Sequence, residues 1–283
     1  MAKSRITRWV LLAAALVVAG GYAAWRQYVV APHAEQANNA QKARSGPPPV
    51  AVKTAPVEKA PVYTYVSEWT VPRAMWADYK KEDEADVDAM KKGVGDGTLI
   101  SFGTFAVLNH QEGEPTHGSW FSATSMANLM KFLEGLRNAP GATAPVLAAS
   151  KHWDYIVSST IHNGHSGTFT NGYLRVARWP AKAGSDDPDG KIVKSTMVAL
   201  LEKLFADGAL HSYNIDQETI HSEDPGTMFV VFVANGAEGL DKFNAAVDDM
   251  RKNNPAALAA YGTLIDAHGH RDTLARVSTM TNK

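Results

Sequence analysis

The sequence predicts an α+β fold in which one β-α-β-β-α-β unit occurs twice, behind an N-terminal hydrophobic segment and a linker. Three observations carry this prediction. Similar residues recur at a nearly constant spacing, strand-like and helix-like hydrophobic patterns alternate in the same order in each copy, and a basic start precedes an uncharged run near the N-terminus. We therefore expect two tandem modules between residues 63 and 283.

The repeat consists of matched residues at offsets of 110, 111, 111 and 118 positions. A single match would be chance, whereas an ordered series at a similar offset indicates duplication. In chain order the matches are Tyr63, Val66 and Trp69 with Tyr173, Val176 and Trp179; Asp96-Gly97-x-Leu99 with Asp207-Gly208-x-Leu210; His110-x-Glu112 with His221-x-Glu223; and His152-x-Asp154 with His270-x-Asp272.

Each copy has the same succession of patterns. Period-2 alternation predicts strands at 63–71, 99–108, 119–123 and 153–161 in the first copy. Helical periodicity predicts helices at 76–94 and 126–136. The second copy gives strands at 173–179, 210–220, 227–234 and 273–279, and helices at 193–204 and 240–250. The glycines within residues 163–172 predict that this segment is a loop joining module 1 (63–162) to module 2 (173–283).

The order β-α-β-β-α-β is the split-βαβ, ferredoxin-like arrangement, an antiparallel sheet with both helices on one face. In this respect residues 63–283 resemble the dimeric α/β-barrel superfamily, here with two modules fused in tandem. The resemblance implies that the modules form one intramolecular barrel. That superfamily includes small monooxygenases, haem-binding enzymes of the chlorite dismutase type and many stress-related proteins.

The N-terminal 31 residues predict a membrane or signal segment. The run 9–25 is 17 uncharged residues, short for a spanning helix and long for a signal core. Its basic flank, made of Lys3, Arg5 and Arg8, predicts a cytoplasmic N-terminus, with the body in the periplasm. We expect an inner-membrane anchor that contacts the lipid bilayer through 9–25, or a signal cleaved near Ala19. Residues 32–62 predict a Pro/Ala-rich linker.

The leader carries a second resemblance, based on Pro47-Pro48-Pro49-Val50-Ala51-Val52 and Val57-Glu58-Lys59 after the basic anchor. This stretch is similar to the start of periplasmic adaptor (membrane fusion) subunits of RND efflux systems. It implies an accessory role in an envelope complex. Beyond Val62 the chain has neither the lipoyl-like half motifs nor the long heptad hairpin of that family.

Composition narrows the chemistry. The formal net charge is −1 and no basic stripe is present, so we expect no nucleic-acid partner. There are no cysteines, which excludes thiolate metal sites, covalent c-type haem and disulfides. A metal would need His, Asp, Glu or Tyr ligands. The nucleotide-binding and hydrolase motifs Gly-x-Gly-x-x-Gly, P-loop, Gly-x-Ser-x-Gly and His-Glu-x-x-His are also absent.

The repeated pairs His110 with Glu112 and His221 with Glu223 are one set of candidate ligands. Each pair has i, i+2 spacing beside a predicted hairpin, so both side chains of a pair share one face and could hold a metal or share a proton. The alternative is that they decorate solvated hairpin tips. For His152 and His270 the repetition favours a structural role at the start of the closing strands.

The unrepeated histidines His117, His162 and His165 are the first candidates for a single site, either for a metal or for haem iron. The alternatives are that His117 reflects drift between copies, and that the other two belong to a connecting loop. Most Trp and Tyr residues on the strands are expected to fill the cores, and Trp120 is a candidate for lining a pocket.

Three functions are consistent with these features. The first is an exported, membrane-tethered module that binds a small ligand inside the barrel. The second is a haem- or metal-dependent oxidoreductase, or a cofactor-free monooxygenase. The third is the adaptor-like role implied by the leader. No motif in the sequence identifies a substrate.

Overall fold

The strands form from the alternating segments of the sequence. A computed structural model describes residues 58–109, 111–139, 144–187, 189–220 and 226–283. Its strands are β1 (Val62–Thr70), β2 (Ser101–Val107), β3 (His117–Ala123), β4 (Lys151–Gly164), β5 (Gly167–Phe169), β6 (Tyr173–Trp179), β7 (Leu210–Ile220), β8 (Met228–Ala234) and β9 (Arg271–Asn282).

The helices occupy the predicted positions between strands, with additions. A 3₁₀ turn (Arg73–Met75) leads into α1. The helices are α1 (Trp76–Asp96), α2 (Met126–Arg137), α3 (Pro145–Ala149), α4 (Lys191–Val193), α5 (Ala199–Ala206), α6 (Ala237–Asn253) and α7 (Pro255–Gly262), with a π-helical segment (Lys194–Val198) between α4 and α5. The helix at α2 begins at the Ser125 cap, whose side chain accepts a hydrogen bond from the Asn128 amide.

Eight antiparallel strands close into a barrel. Their order is β2-β3-β1-β4-β7-β8-β6-β9, and β9 pairs in turn with β2. The first four and the last four have the same internal order, in which each βαβ crossover passes over one intervening strand. Two seams join these halves, β4 with β7 and β9 with β2. Strand β5 lies outside the ring and pairs with β9.

The helices cover the outer face of the barrel. In the first half, Met90 of α1 and Leu129 of α2 pack on Phe102 and Phe121 from the strands. In the second half, helix residues such as Leu201 and Phe243 form the equivalent cluster with strand residues such as Phe232. A third buried cluster consists of strand residues from the opposite face together with Phe169 of β5, among them Phe105, Leu174 and Met280. The inward-facing side chains of the strands therefore form a buried cluster inside the barrel.

Three predicted features differ from the structure. The segment 163–172, expected to be a loop, contains the end of β4 and all of β5. Trp153, expected in a core, is 45% exposed at the start of β4. The helices α3 and α7 were not predicted, because with five and eight residues they are too short to show a clear helical period, although each begins with a proline.

No helix in the described ranges has both the length and the apolar character needed to cross a bilayer. The predicted segment 9–25 and most of the linker lie outside the described residues.

Candidate functional site: the barrel interior

Alternation along the strands directs one set of side chains into a cavity of about 310 Å³. Its walls are mostly apolar and aromatic, with polar side chains contributed by β1, β2, β3, β4 and β7. Apolar lining residues are Val62, Val66, Phe105, Trp120, Tyr155, Val157, Leu174, Val176, Phe229, Val231, Val233 and Met280. Polar lining residues of the strands include Thr64, Glu68, Ser101, Ser122, Ser159, Ser212, Asn214 and Asp216. This composition is typical of a site for a small organic molecule.

One end of the cavity is a polar mouth, where β4 and β9 end. Lys59, His162 and Asn163 lie there beside Asn282 and Lys283. The Lys59 ammonium is 3.4 Å from Asn163 Oδ1, and His162 Nε2 donates to the Ala60 carbonyl at 3.4 Å. Burial lowers the pKa of His162. The mouth is therefore built from the linker end, the end of β4 and the end of β9.

Asp216 is the most deeply buried carboxyl that faces the cavity. Its residue is 4% exposed, and burial raises its pKa to about 7, partly offset by the amide of Asn214 and by Ser159. The Asn214 amide donates to Asp216 Oδ2. Both side chains come from β7, two residues apart and hence on one face. A carboxyl of this pKa can accept or release a proton near neutral pH.

Several charged groups act on Tyr155, which lines the cavity. Burial raises the pKa of Tyr155, the charges of Glu68, Asp216 and Glu218 raise it further, and that of Arg178 lowers it. Glu68 and Glu218 are buried, at 9% and 8% exposure. Three carboxyl groups and one guanidinium thus act on the same phenol.

Aromatic rings form two walls of the cavity. Tyr155 and Phe229 are stacked, with centroids 5.5 Å apart and planes 15° apart. Trp120 lies over the backbone of Gly103, where a Cβ atom would fall 2.2 Å from the indole. The glycine of β2 therefore makes room for the indole of β3, and Trp120 lines the pocket as the sequence suggested.

The candidate histidines separate in space. His162 lines the mouth. His117 lies on the outer face, with its ring against Trp76 and Tyr79 of α1 at centroid distances of 5.2 and 4.8 Å, and its Nδ1 is 2.9 Å from Thr116 Oγ1. His117 therefore does not line the cavity, because Trp120 and Ser122 give β3 its inward parity.

His165 belongs to an aromatic group above the mouth rather than to the cavity wall. Its ring stacks on Phe205 at 4.4 Å and lies 5.8 Å from the ring of His211. His211 stacks in turn on Phe169 of β5 at 4.2 Å. Burial lowers the pKa of His211, and its Nε2 is buried without a hydrogen-bond partner among the described residues.

Of the two hairpin pairs, the structure describes only Glu112. His110, His221 and Glu223 lie outside the described residues, and Glu112 is exposed in the β2–β3 turn. Sequence reasoning missed Asn214, Asp216 and His211. The polar alternation Asn214-x-Asp216-x-Glu218 was the available signal, and its inward direction becomes apparent only once the barrel closes.

A metal or haem does not fit the described residues well. No group of three His, Asp or Glu side chains arranged for a metal occurs among them. His165 and His211 have their faces covered by phenylalanine, and His162 Nε2 is engaged by a carbonyl.

Comparison with known proteins supports the fold. No family model matches the chain, and no curated protein matches it in sequence. A solved structure from Fusobacterium nucleatum, provisionally described as a monooxygenase, has a TM-score of 0.60 and 11% identity, covering 80% of this chain and 96% of that one. A similarly described protein from Lactobacillus acidophilus has a TM-score of 0.53 and 8% identity, covering 79% and 97%.

A mutant chlorite dismutase from Candidatus Nitrospira defluvii is more distant, with a TM-score of 0.44 and 12% identity over 77% of this chain and 90% of that one. At these identities the likeness concerns the fold. The described body is thus a closed, eight-stranded barrel of the dimeric α/β-barrel type.

Proposed function

We propose that the barrel interior binds one small, largely apolar organic molecule. The observation that carries this proposal is the cavity of about 310 Å³ inside the barrel, with aromatic walls and polar groups that converge on it. A volume near the lower end of the range for small-molecule sites suits a ligand of one or two rings. The Trp120 indole and the Tyr155–Phe229 stack offer faces to such rings.

The two halves differ inside the barrel, which supports one site rather than two. At the repeat offset of 111, Gly103 and Phe105 are the counterparts of Asn214 and Asp216. The first half thus has a glycine and an apolar ring at the positions where the second half has an amide and a carboxyl group. Equal strand order in the halves supports an origin by duplication, and this divergence supports specialisation after it.

The experiment uses the full-length chain and 1-naphthalenemethanol as a neutral two-ring probe, measured by calorimetry. Val231 lines the cavity, so Val231→Trp places an indole in the space for the ligand. Ala85→Trp adds the same ring on an exposed residue of α1 and serves as the control. We expect one-to-one binding by the wild type and Ala85→Trp, and none by folded Val231→Trp. No binding by the wild type, or equal binding by Val231→Trp, would refute the proposal.

A second candidate is cofactor-free oxygenation of a phenol, the reaction class suggested by the descriptions of the two fold neighbours. The supporting observation is Asp216, whose pKa of about 7 suits a base for a phenolic proton. The balanced reaction converts a phenol and O₂ to a quinone and water. Consumption of O₂ with 1-naphthol, lost in Asp216→Asn, is the test. No consumption above the protein-free rate would remove this candidate.

We also propose that the barrel is exported and held at the inner membrane by residues 9–25, as the basic flank and apolar run suggest. Retention in the membrane pellet after carbonate extraction tests the anchor, and release with a trimmed N-terminus would contradict it. The adaptor-like role rests on residues 47–59, of which the structure describes only the last two. Co-purification with an inner-membrane pump is its test.

A further inference from the structure

We propose that the ligand of the barrel is an organic cation, a hydrophobic amine whose ammonium group binds the Asp216 carboxylate between the aromatic walls. This inference rests on the proposed binding function and names the chemical class of the ligand. Four features of the interior support it.

The first feature is that Asp216 is a buried acid whose nearest partners are neutral. Its partners are the Asn214 amide and the Ser159 hydroxyl, and no cation contributes to its pKa. None of the ion pairs among the described residues includes it. Because burying a carboxylate without a counter-charge is costly, the folded protein holds it partly protonated. A ligand ammonium would supply the missing counter-charge.

The second feature is the sign of the charge around Tyr155. Glu68, Asp216 and Glu218 act on Tyr155 together with Arg178. When all four groups are ionised, the carboxylates outnumber the guanidinium by three to one. In a low-dielectric interior this excess favours a cation over an anion of the same shape.

The third feature is the set of aromatic faces beside Asp216. The neighbouring strand places Phe229 directly opposite Asp216 in the β7–β8 register. Phe229 is stacked with Tyr155 and has the Arg178 guanidinium over its ring, 5.8 Å from the centroid. Trp120 supplies a further ring of the cavity wall. Ammonium groups are attracted to such ring faces when they are removed from water. The same rings accept the apolar body of the ligand.

The fourth feature is that the lysines of the mouth do not oppose entry strongly. Lys59 and Lys283 are exposed, and their ammonium groups lie 3.4 Å from Asn163 Oδ1 and the Val94 carbonyl, respectively. Charges in contact with water are screened over roughly 10 Å at moderate salt. The buried carboxyl therefore dominates the choice of ligand charge inside the cavity.

The test compares three probes of one shape on the full-length chain: 1-naphthylmethylamine, 1-naphthalenemethanol and 1-naphthoate. Calorimetry at pH 8 measures each affinity. We expect the amine to bind at least about tenfold more tightly than the alcohol, as for a charge-assisted hydrogen bond, and the carboxylate to bind least. Asp216→Asn removes the preference for the amine and keeps alcohol binding. Asp207→Asn, an exposed carboxyl on the same chain, leaves the preference unchanged.

The pH dependence provides a readout that a merely structural role of Asp216 would not produce. Lowering the pH from 8 to 6 protonates a carboxyl of pKa about 7, so amine affinity should fall by roughly tenfold. Glu68, Tyr155, Arg178, Glu218 and His162 also face this region, so the difference between wild type and Asp216→Asn isolates Asp216. Alcohol affinity should change little.

The outcomes separate the two proposals. Equal binding of amine and alcohol by the wild type would overturn the cation inference and leave small-molecule binding standing. An amine preference that persists in folded Asp216→Asn would also overturn it. If no probe binds, the proposed function fails and the inference fails with it.

Discussion

The imidazole of His270 lies flat on the indole of Trp179, with ring centroids 3.5 Å apart and planes at 10°. Its Nε2 contacts Asp272 at 3.2 Å. The first half repeats this arrangement, since His152 stacks on Trp69 at 4.2 Å and 11° and contacts Asp154 at 2.9 Å. In each half the stack joins the end of the first strand to the start of the last, which supports the structural role expected of the repeated histidines.

Removing either imidazole should lower stability. His270→Ala exposes one face of Trp179, and we expect the free energy of unfolding to fall by about 1 kcal/mol, the usual worth of an aromatic pair. The effect of His152→Ala should be smaller, because its side chain is 43% exposed against 24% for His270. Denaturant unfolding measures both, with exposed His268→Ala as control. Equal, negligible losses in all three would contradict the stacking argument.

Adding a methyl group at Gly103 should disturb the cavity wall. The Cβ of Gly103→Ala would lie 2.2 Å from the Trp120 ring, so the indole must move into the cavity, at a cost of about 1–3 kcal/mol. The melting temperature and the affinity for 1-naphthalenemethanol should both fall. Gly135→Ala is the matched control, because its methyl group meets nothing within 4 Å on α2 and should gain about 0.5–1 kcal/mol. Unchanged stability in Gly103→Ala would refute the close contact.

Stability should depend on pH through Asp216. Its pKa is 3.8 in an unfolded chain and about 7 in the folded protein. Between these values the folded state holds a proton that the unfolded state has lost, so stability falls as pH rises through this window. Asp216→Asn should therefore raise the melting temperature at pH 8, by about 2–4 °C for each kcal/mol.

At about pH 5 the same variant should match the wild type, because a protonated carboxyl and an amide are both neutral. Since burial also raises the pKa of Asp83 to about 6, the difference between variant and wild type is the quantity to plot. A variant that is less stable than the wild type at both pH values would contradict the assignment.

His211 should make the protein sensitive to mild acid. Burial, reinforced by the charge of His165, holds the pKa of His211 below 6.5. As the pH falls through 6.5, this imidazole is protonated in the unfolded chain but stays neutral in the folded protein. The free energy of unfolding therefore decreases. His211→Phe keeps a ring against Phe169 and leaves no unpartnered nitrogen. The gain in stability of this variant over the wild type should therefore be larger at pH 5.5 than at pH 8.

His162 also has a pKa lowered by burial, so acid sensitivity should diminish in His211→Phe without vanishing. Thermal melts at the two pH values provide the comparison, and His268→Gln in an exposed turn is the control. An unchanged difference between the two melts in His211→Phe would show that the imidazole is not responsible.

Much of the fold was readable from the sequence because strand alternation and helical periodicity depend on local pattern. The strands β6 and β7 have the predicted bounds, 173–179 and 210–220. Strand β5 could not be predicted in this way. It has three residues, the first of which is Gly167. Its pairing partner is β9, more than a hundred positions away in the sequence.

The site was less readable, because the chemical interest of a residue type does not reveal which way it points. Among the unrepeated histidines only His162 lines the cavity. Polar residues alternating on one face of β7 would normally be assigned to solvent. Closure of the ring turns that face inward, and this long-range event makes Asp216 a buried carboxyl.

Closure of the ring depends on strand β9. Strand β9 is the last of the described strands to be made, and it joins β6 to β2. Without β9 the ring would be open, with seven strands and unpaired edges at β2 and β6. Such edges invite pairing with other chains. The cavity therefore has a complete wall only when β9 is in place, and displacement of this one strand would leave two edges open to association.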